Sequence, residues 1–177
     1  MMTSSRTWPM RGAYVALALL VIFVHLLPLD TVPRKWSPPD VLLAFTLAWA
    51  LRRPDYVPAL LVATVFLLAD LMLQRPPGLY AAMVVMGCDF LKSRSNGLSE
   101  TSFLGEWTTV AIVLAAILLL YRVVLGLVVL HETPMTLTLS RLALTIAIYP
   151  LAVVVSQSVL RVRKPTPADA NAMGART

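Results

Sequence analysis

Residues 66–80 read FLLADLMLQRPPGLY and place a carboxylate, Asp70, near the end of a run that is apolar enough to cross a membrane. The Pro76-Pro77 pair ends that run, and Gly78 begins the next apolar segment. Proline stops a helix and glycine permits a tight turn, so the stretch predicts two helices joined by a short connection. An acid inside a membrane segment marks a functional site by default. Asp70 and Gly78 are therefore the first candidate site residues.

The composition identifies the class of protein. Hydrophobic residues make up 58% of the 177 residues and charged residues 14%, and the mean hydropathy is +0.77. Soluble domains carry about 25% charged residues. A chain of this length can form five or six membrane-spanning helices, which leaves no room for a separate soluble catalytic domain. The sequence thus predicts an all-α, polytopic membrane helix bundle.

Apolar segments separated by proline, glycine and charged residues predict six transmembrane helices, or five if a short one is re-entrant. The predicted helices cover residues 13–29, 38–51, 57–73, 78–91, 105–130 and 134–160 of a single transmembrane domain, residues 1–164. The second and fourth are short, since about 14 residues extend about 20 Å and a bilayer core is about 30 Å thick. Asn96-Gly97 predicts a turn after the fourth helix. Residues 165–177 are expected to form a disordered cytoplasmic tail.

Lysine and arginine are unequally shared between the two sides of this predicted bundle. One side carries Arg6, Arg11, Arg52, Arg53, Lys92, Arg94, Arg161, Arg163, Lys164 and Arg176, and the other carries Arg34, Lys35 and Arg75. Because positive charge is retained in the cytoplasm, both termini are predicted to be cytoplasmic. The net charge of +6 is then explained by topology and by contact with membrane lipids, and not by nucleic-acid binding.

Three charged residues inside predicted helices, Asp70, Arg122 and Arg141, fall in the outward half of this bundle. An unpaired charge at the centre of a membrane helix costs about 2.5–3.5 kcal/mol on insertion scales. A long arginine side chain extends several ångströms along an apolar surface. We therefore expect Asp70 to pair with Arg122 or Arg141. The first interpretation of this pair is helix packing, the second is contact with a partner protein, and the third is substrate or proton handling.

Catalytic and metal-binding motifs are absent from the sequence. No serine-hydrolase, zinc-protease, phosphate-loop or paired-cysteine pattern occurs. His25 and His131 lack a second pair and suit interfacial hydrogen bonding better than haem ligation. Cys88 has no second cysteine for an internal disulfide. The chain is predicted to be non-enzymatic, with no cofactor and no metal.

One set of residues between Pro39 and Arg94 forms a recognisable pattern. It consists of Pro39-Asp40 at the start of a short helix, Trp49 near its end, the segment RRPDYVP at residues 52–58, and the spacing of Asp70 and Gly78 followed by Leu79. This pattern resembles the MreD family of rod shape-determining proteins, while the outer helices match only in hydropathy. The resemblance adds Asp40, Arg52 and Arg53 to the candidates for a structural or partner-binding role.

The resemblance implies a scaffold in the bacterial inner membrane that acts in the rod, or elongation, complex and helps direct lateral peptidoglycan synthesis and cell shape. The implied partners are the single-span protein MreC, the actin-like MreB, RodA and a penicillin-binding transpeptidase, with a homodimer also open. The family's fold is similar to the substrate-binding membrane subunit of energy-coupling-factor vitamin transporters, which implies a pocket open to the outer side. A small-molecule transport subunit and a membrane enzyme of lipid or cell-wall metabolism remain as alternatives.

Overall fold

The computed structural model describes residues 4–27, 37–98, 103–128 and 134–158, and these residues form six α-helices and no strand. The helices are α1 (Ser4–Leu26), α2 (Val41–Arg52), α3 (Ala59–Met72), α4 (Leu79–Leu98), α5 (Phe103–Val128) and α6 (Met135–Ser158). A 3-10 turn at Pro54–Tyr56 connects α2 to α3. The predicted all-α bundle of six helices is confirmed.

Three of the helices are long and apolar enough to cross a membrane. These spans are Thr7–Leu26, Phe103–Leu127 and Met135–Ser158, whereas α2 and α3 are apolar but shorter. The length and composition of the three spans support a membrane protein.

α1 and α4 extend furthest beyond their predicted bounds. α1 begins at Ser4 and includes Pro9, whose missing N–H affects only the first turns of the helix. α4 continues through Asn96 and Gly97 to Leu98, so the predicted turn at this dipeptide is wrong. The turn preference of two residues is a weak local effect, and the context of a long helix overrides it. The predicted tail at residues 165–177 lies outside the described residues, as does His131.

α2 is the central helix of the bundle and contacts α1, α4 and α6. Every residue from Leu42 to Arg52 is buried. A helix that is apolar on all faces is typical of a protein interior, and only Thr46 and Arg52 are polar within α2. Its 12 residues extend about 18 Å, less than the thickness of a bilayer core. Neighbouring helices therefore shield α2, which explains how so short an apolar helix is accommodated.

The core around α2 is built on aromatic side chains with satisfied polar atoms. Trp49 is fully buried, its ring centroid lies 5.7 Å from that of Tyr14, and its indole N–H donates to Ser156 Oγ at 3.0 Å. The Tyr14 and Thr46 hydroxyls lie 2.9 Å apart. Buried tyrosine and tryptophan usually find such partners. These contacts fix α2 against α1 and α6.

Side-chain contacts define two ends of the bundle. The Asp40 end contains the start of α2, the α3–α4 turn and the first half of α6, which meet through Asp40, Tyr80 and Arg141. The Arg52 end contains the end of α2 and the start of α5, which meet through Arg52 and Glu106. The topology predicted from the loops places the Asp40 end outside and the Arg52 end in the cytoplasm.

Candidate functional site

At the Asp40 end, one buried carboxylate receives hydrogen bonds from three elements. Asp40 caps α2, because its Oδ1 accepts from the Leu43 N–H at 3.0 Å. Its Oδ2 accepts from the Tyr80 hydroxyl at 2.8 Å and from the guanidinium of Arg141. The Asp40 N–H donates to Thr145 Oγ1 at 2.9 Å. Asp40 therefore joins α2 to both α4 and α6.

The ring of Tyr80 contacts two arginines near Asp40. Arg75 lies 5.0 Å from the ring centroid and Arg141 lies 5.7 Å from it. Tyr121 of α5 contacts the same ring edge-on at 5.1 Å. A guanidinium over an aromatic face is attracted by the negative face of the ring. Tyr80 thus holds two arginines in position while its hydroxyl binds Asp40.

A second buried ion pair lies at the Arg52 end. The Nε and Nη2 atoms of Arg52 donate to Glu106 Oε1 at 3.0 and 2.8 Å. The Tyr149 hydroxyl donates to the same oxygen at 3.0 Å. The side chains of Arg52 and Glu106 are only 4% and 1% exposed. A buried pair needs such additional hydrogen bonds, because desolvation otherwise opposes the attraction of the charges. This cluster joins α2 to α5 and α6.

Asp70 binds the backbone of α4. Its Oδ2 accepts from the N–H groups of Gly78 and Ala81, both at 3.2 Å. The first N–H groups of a helix lack partners within the helix, and the helix dipole favours a negative charge there. The other carboxyl oxygen, Oδ1, is buried without a hydrogen-bond partner among the described residues. Asp70 therefore caps α4 from the last turn of α3.

The expected pairing of Asp70 with Arg122 or Arg141 is wrong. Arg141 binds Asp40, and Arg122 donates to Thr138 Oγ1 at 3.1 Å. The prediction considered only depth along the membrane normal. The short connection after α3, which the sequence does predict, brings the N–H groups of α4 back onto Asp70, and the expected pairing left this consequence out. The spacing of eight residues between Asp70 and Gly78 was the signal for this cap.

The remaining predicted residue, Arg53, lies over a different ring. Its guanidinium is 5.8 Å from the centroid of Tyr56, at the Arg52 end. Nearby, Arg11 donates to the Asp55 carbonyl at 3.0 Å and Lys92 donates to the Val57 carbonyl at 2.8 Å. These cations hold the α2–α3 connection against α1 and α4.

Three residues of the two clusters were missed in the sequence. Glu106 falls near the predicted start of the fifth helix, and Tyr80 and Tyr149 are aromatic residues in apolar segments, so the sequence gives none of them a special role. Arg52 and Glu106 are opposite charges on the same predicted side, which was a usable signal for that pair. Nothing in the sequence distinguishes the two tyrosines, because their role depends on the rotation of α4 and α6.

The Asp70 cap depends on the backbone of Gly78, which has φ +84°. L side chains rarely adopt this conformation, so Gly78→Ala should reduce the free energy of unfolding by about 1–2 kcal/mol. Asp70→Ala should reduce it by about 0.5–2 kcal/mol, and Asp70→Asn by less, because asparagine keeps one acceptor oxygen. The double variant Asp70→Ala, Gly78→Ala should lose less than the sum, since both changes affect one turn. Melting in detergent micelles measures all four variants.

The matched control for this series is Gly12→Ala. Gly12 lies in α1 and has nothing within 4 Å of an added Cβ. Alanine is a better helix former than glycine, so this change should leave the protein as stable or slightly more stable. Additive losses in the Asp70, Gly78 double variant would contradict the cap.

A shallow cleft opens at the Asp40 end between α1, α2 and α3. Its walls are mainly apolar, and its polar residues are His25, Asp40 and Arg75. The enclosed volume is about 20 Å³, which is room for about one water molecule. Within residues 4–27, 37–98, 103–128 and 134–158, no group of three His, Cys, Asp or Glu residues is placed to hold a metal ion. The carboxylates of Asp40 and Glu106 are each bound by an arginine and a tyrosine, so the clusters are suited to joining helices.

Comparison of the chain with protein-family models, with curated proteins and with solved structures gives no significant match.

Proposed function

We propose that this protein is a non-enzymatic scaffold in the bacterial inner membrane that acts in the rod complex, as the MreD family does. The proposal is supported by the contacts of Asp40, Arg52 and Asp70, three residues of the MreD-like pattern. Each of these side chains joins one helix to another. A scaffold must offer partners an unchanging surface, and a bundle fixed at both ends of its central helix suits that task.

The proposed partner is a single membrane helix, of the kind that MreC contributes, within a wider complex of MreB, RodA and a penicillin-binding transpeptidase. Large apolar side chains are exposed on several helices, among them Leu19 and Phe23 of α1 and Leu60, Leu67 and Leu71 of α3. In a membrane such a face lies against lipid or against a partner helix, and a partner helix would be held by close packing and interhelical hydrogen bonds. The proposed orientation keeps both termini in the cytoplasm.

A small-molecule transport subunit is the second candidate, because the cleft carries the polar residues His25, Asp40 and Arg75. Ligand pockets usually have volumes of about 300–1,000 Å³ and bury most of the ligand. The cleft encloses about 20 Å³, so a vitamin-sized molecule does not fit inside it. This difference favours the scaffold.

Depletion of the protein in a rod-shaped host tests the proposal directly. Cells should become round, and the purified protein should carry a single-span partner and no small molecule. Normal cell shape combined with a nutrient requirement would instead favour the transport subunit. Copurification of this protein with a vitamin-like ligand and an ATPase would also favour the transport subunit.

Cysteine crosslinking in cells would locate the partner surface. Cys88 is buried and can first be replaced by alanine, so that each new cysteine is the sole thiol. Leu60, Leu67 and Leu71 sample the exposed face of α3, and Val62 is the matched buried control on the same helix. Crosslinks at exposed positions and none at Val62 are expected. Equal crosslinking at Val62 would show that the bundle opens, which contradicts a fixed scaffold surface.

A further inference from the structure

We propose that the cleft at the Asp40 end binds a phospholipid, with Arg75 as the ligand of the lipid phosphate and the apolar walls of α1 and α3 against an acyl chain. This proposal does not rest on the scaffold function. It follows from the contacts of one arginine and from the shape of the cleft that it lines.

In the part of the chain that the structure describes, the guanidinium of Arg75 is oriented but has no hydrogen-bond acceptor. Among the described residues its side chain makes no hydrogen bond and no ion pair, and its contact is with the ring of Tyr80 at 5.0 Å. Its backbone is fixed, because its N–H donates to the Asp70 carbonyl at 2.9 Å. A guanidinium carries five N–H donors in a planar fork that matches the oxygens of a phosphate. The half-buried side chain is thus held ready for an anion.

The carboxylates of Asp40 and Asp70 attract Arg75, and each accepts hydrogen bonds from other donors, although Asp70 Oδ1 has no hydrogen-bond partner among the described residues. Asp40 is held by Tyr80 and Arg141, and Asp70 by the N–H groups at the start of α4. Neither accepts a hydrogen bond from Arg75. The acceptor that Arg75 lacks can therefore be supplied by a bound anion, and a phosphate in this position would form charge-assisted hydrogen bonds.

The apolar walls of the cleft indicate that the anion is the headgroup of a lipid. Val21 and Ile22 of α1 face Phe66, Ala69 and Leu73 of α3 across the cleft. The enclosed volume is only about 20 Å³, so most of an occupant must lie outside the protein. Exposed apolar side chains continue from the cleft on both helices, such as Phe23 and Met72. An acyl chain lying along this surface fits these features, whereas a water-soluble ligand gains nothing from them.

The position of Arg75 along the bundle agrees with a lipid headgroup. α3 ends at Met72, and Arg75 follows in the turn that leads to α4. Arginines near the ends of membrane helices reach the level of the headgroups. The phosphate of a lipid in this leaflet would therefore lie at the height of the guanidinium.

Native mass spectrometry of the full chain in detergent tests the proposal. The probes are phosphatidylglycerol, diacylglycerol with the same acyl chains, and inorganic phosphate. We expect phosphatidylglycerol to bind and diacylglycerol, which lacks the phosphate, to bind far more weakly. Arg75→Gln should weaken phosphatidylglycerol binding about tenfold, as for the loss of a charge-assisted hydrogen bond. Arg75→Lys should retain part of the binding, because lysine keeps the charge without the fork.

Arg94→Gln is the matched control. Arg94 is an exposed arginine over an aromatic ring, 4.9 Å from the centroid of Phe90, at the opposite end of the bundle. This variant should bind phosphatidylglycerol as the unaltered protein does. Equal losses in Arg75→Gln and Arg94→Gln would mean that only overall charge matters, and that result would overturn the proposal.

A second variant separates a lipid from free phosphate. Val21→Trp fills the apolar part of the cleft and leaves Arg75 in place, so it should weaken phosphatidylglycerol binding. If inorganic phosphate binds as tightly as phosphatidylglycerol and Val21→Trp has no effect, the ligand is a free anion and the lipid proposal is wrong. Unchanged phosphatidylglycerol binding by Arg75→Gln would also refute it. Melting curves of each variant confirm that it is folded. If Arg75→Gln is not folded, Arg75→Lys replaces it in the binding measurements.

Discussion

Glu106→Gln is expected to reduce the free energy of unfolding by about 3–5 kcal/mol, because it leaves the charge of Arg52 buried without a counter-ion. Arg52 is 4% exposed, and its Nε and Nη2 atoms both donate to Glu106 Oε1. Equilibrium unfolding in mixed micelles measures the loss.

Removal of the whole cluster should cost far less than removal of one partner. The triple variant Arg52→Leu, Glu106→Leu, Tyr149→Phe takes away both charges and the hydroxyl that binds them. Replacing a buried ion pair by apolar residues of similar volume is often neutral or stabilising. Arg94→Gln is the control, because an exposed side chain should change stability by less than about 0.5 kcal/mol. A loss below about 1 kcal/mol for Glu106→Gln alone would show that the pair does not fix the bundle.

The number and order of the helices could be predicted because they depend on properties that are local in sequence. Hydrophobic runs of sufficient length and the breaks at residues such as Pro54 and Pro76-Pro77 are enough to count helices. The end of α4 could not be predicted, since Asn96 and Gly97 favour a turn locally. The length of α2 alone does not distinguish shielding by its neighbours from a locally thin bilayer, and its burial among α1, α4 and α6 shows that its neighbours shield it.

The site could be predicted only as a set of residues. Asp70 and Arg141 are candidates because charges are costly in an apolar bundle, whereas Asp40 and Arg52 are candidates only through the resemblance to the MreD family. Their partners depend on the rotation of each helix about its axis and on the turns between helices. Depth along the membrane carries neither kind of information, so Arg141 was matched to Asp70 when it binds Asp40.

Asp40→Ala should destabilise the protein by about 3.5–5 kcal/mol, the largest loss of any single change considered. It removes the cap of α2, worth about 0.5–2 kcal/mol. It also leaves the guanidinium of Arg141 without its carboxylate, and breaking a buried ion pair costs about 3–5 kcal/mol. Because Arg141 is partly exposed, at 20%, the second contribution should fall toward the lower end of that range. Tyr80→Phe, which removes one hydrogen bond to Asp40, should cost only about 0.5–1.5 kcal/mol.

Charge reversal distinguishes the two ends of α2. The double variant Arg52→Glu, Glu106→Arg should recover part of the stability that is lost when only one of the two residues is changed, because both residues act through their side chains alone. Recovery should be incomplete, since Arg52 lies in the last turn of α2 and Glu106 in the first turn of α5, where the helix dipoles favour the native charges. The double variant Asp40→Arg, Arg141→Asp should recover less, because it restores opposite charges but leaves α2 without its cap. Arginine has no acceptor, so it cannot cap α2 by binding the Leu43 N–H. Equal recovery at both ends would mean that Asp40 acts as a charge alone, and that its place at the start of α2 is immaterial.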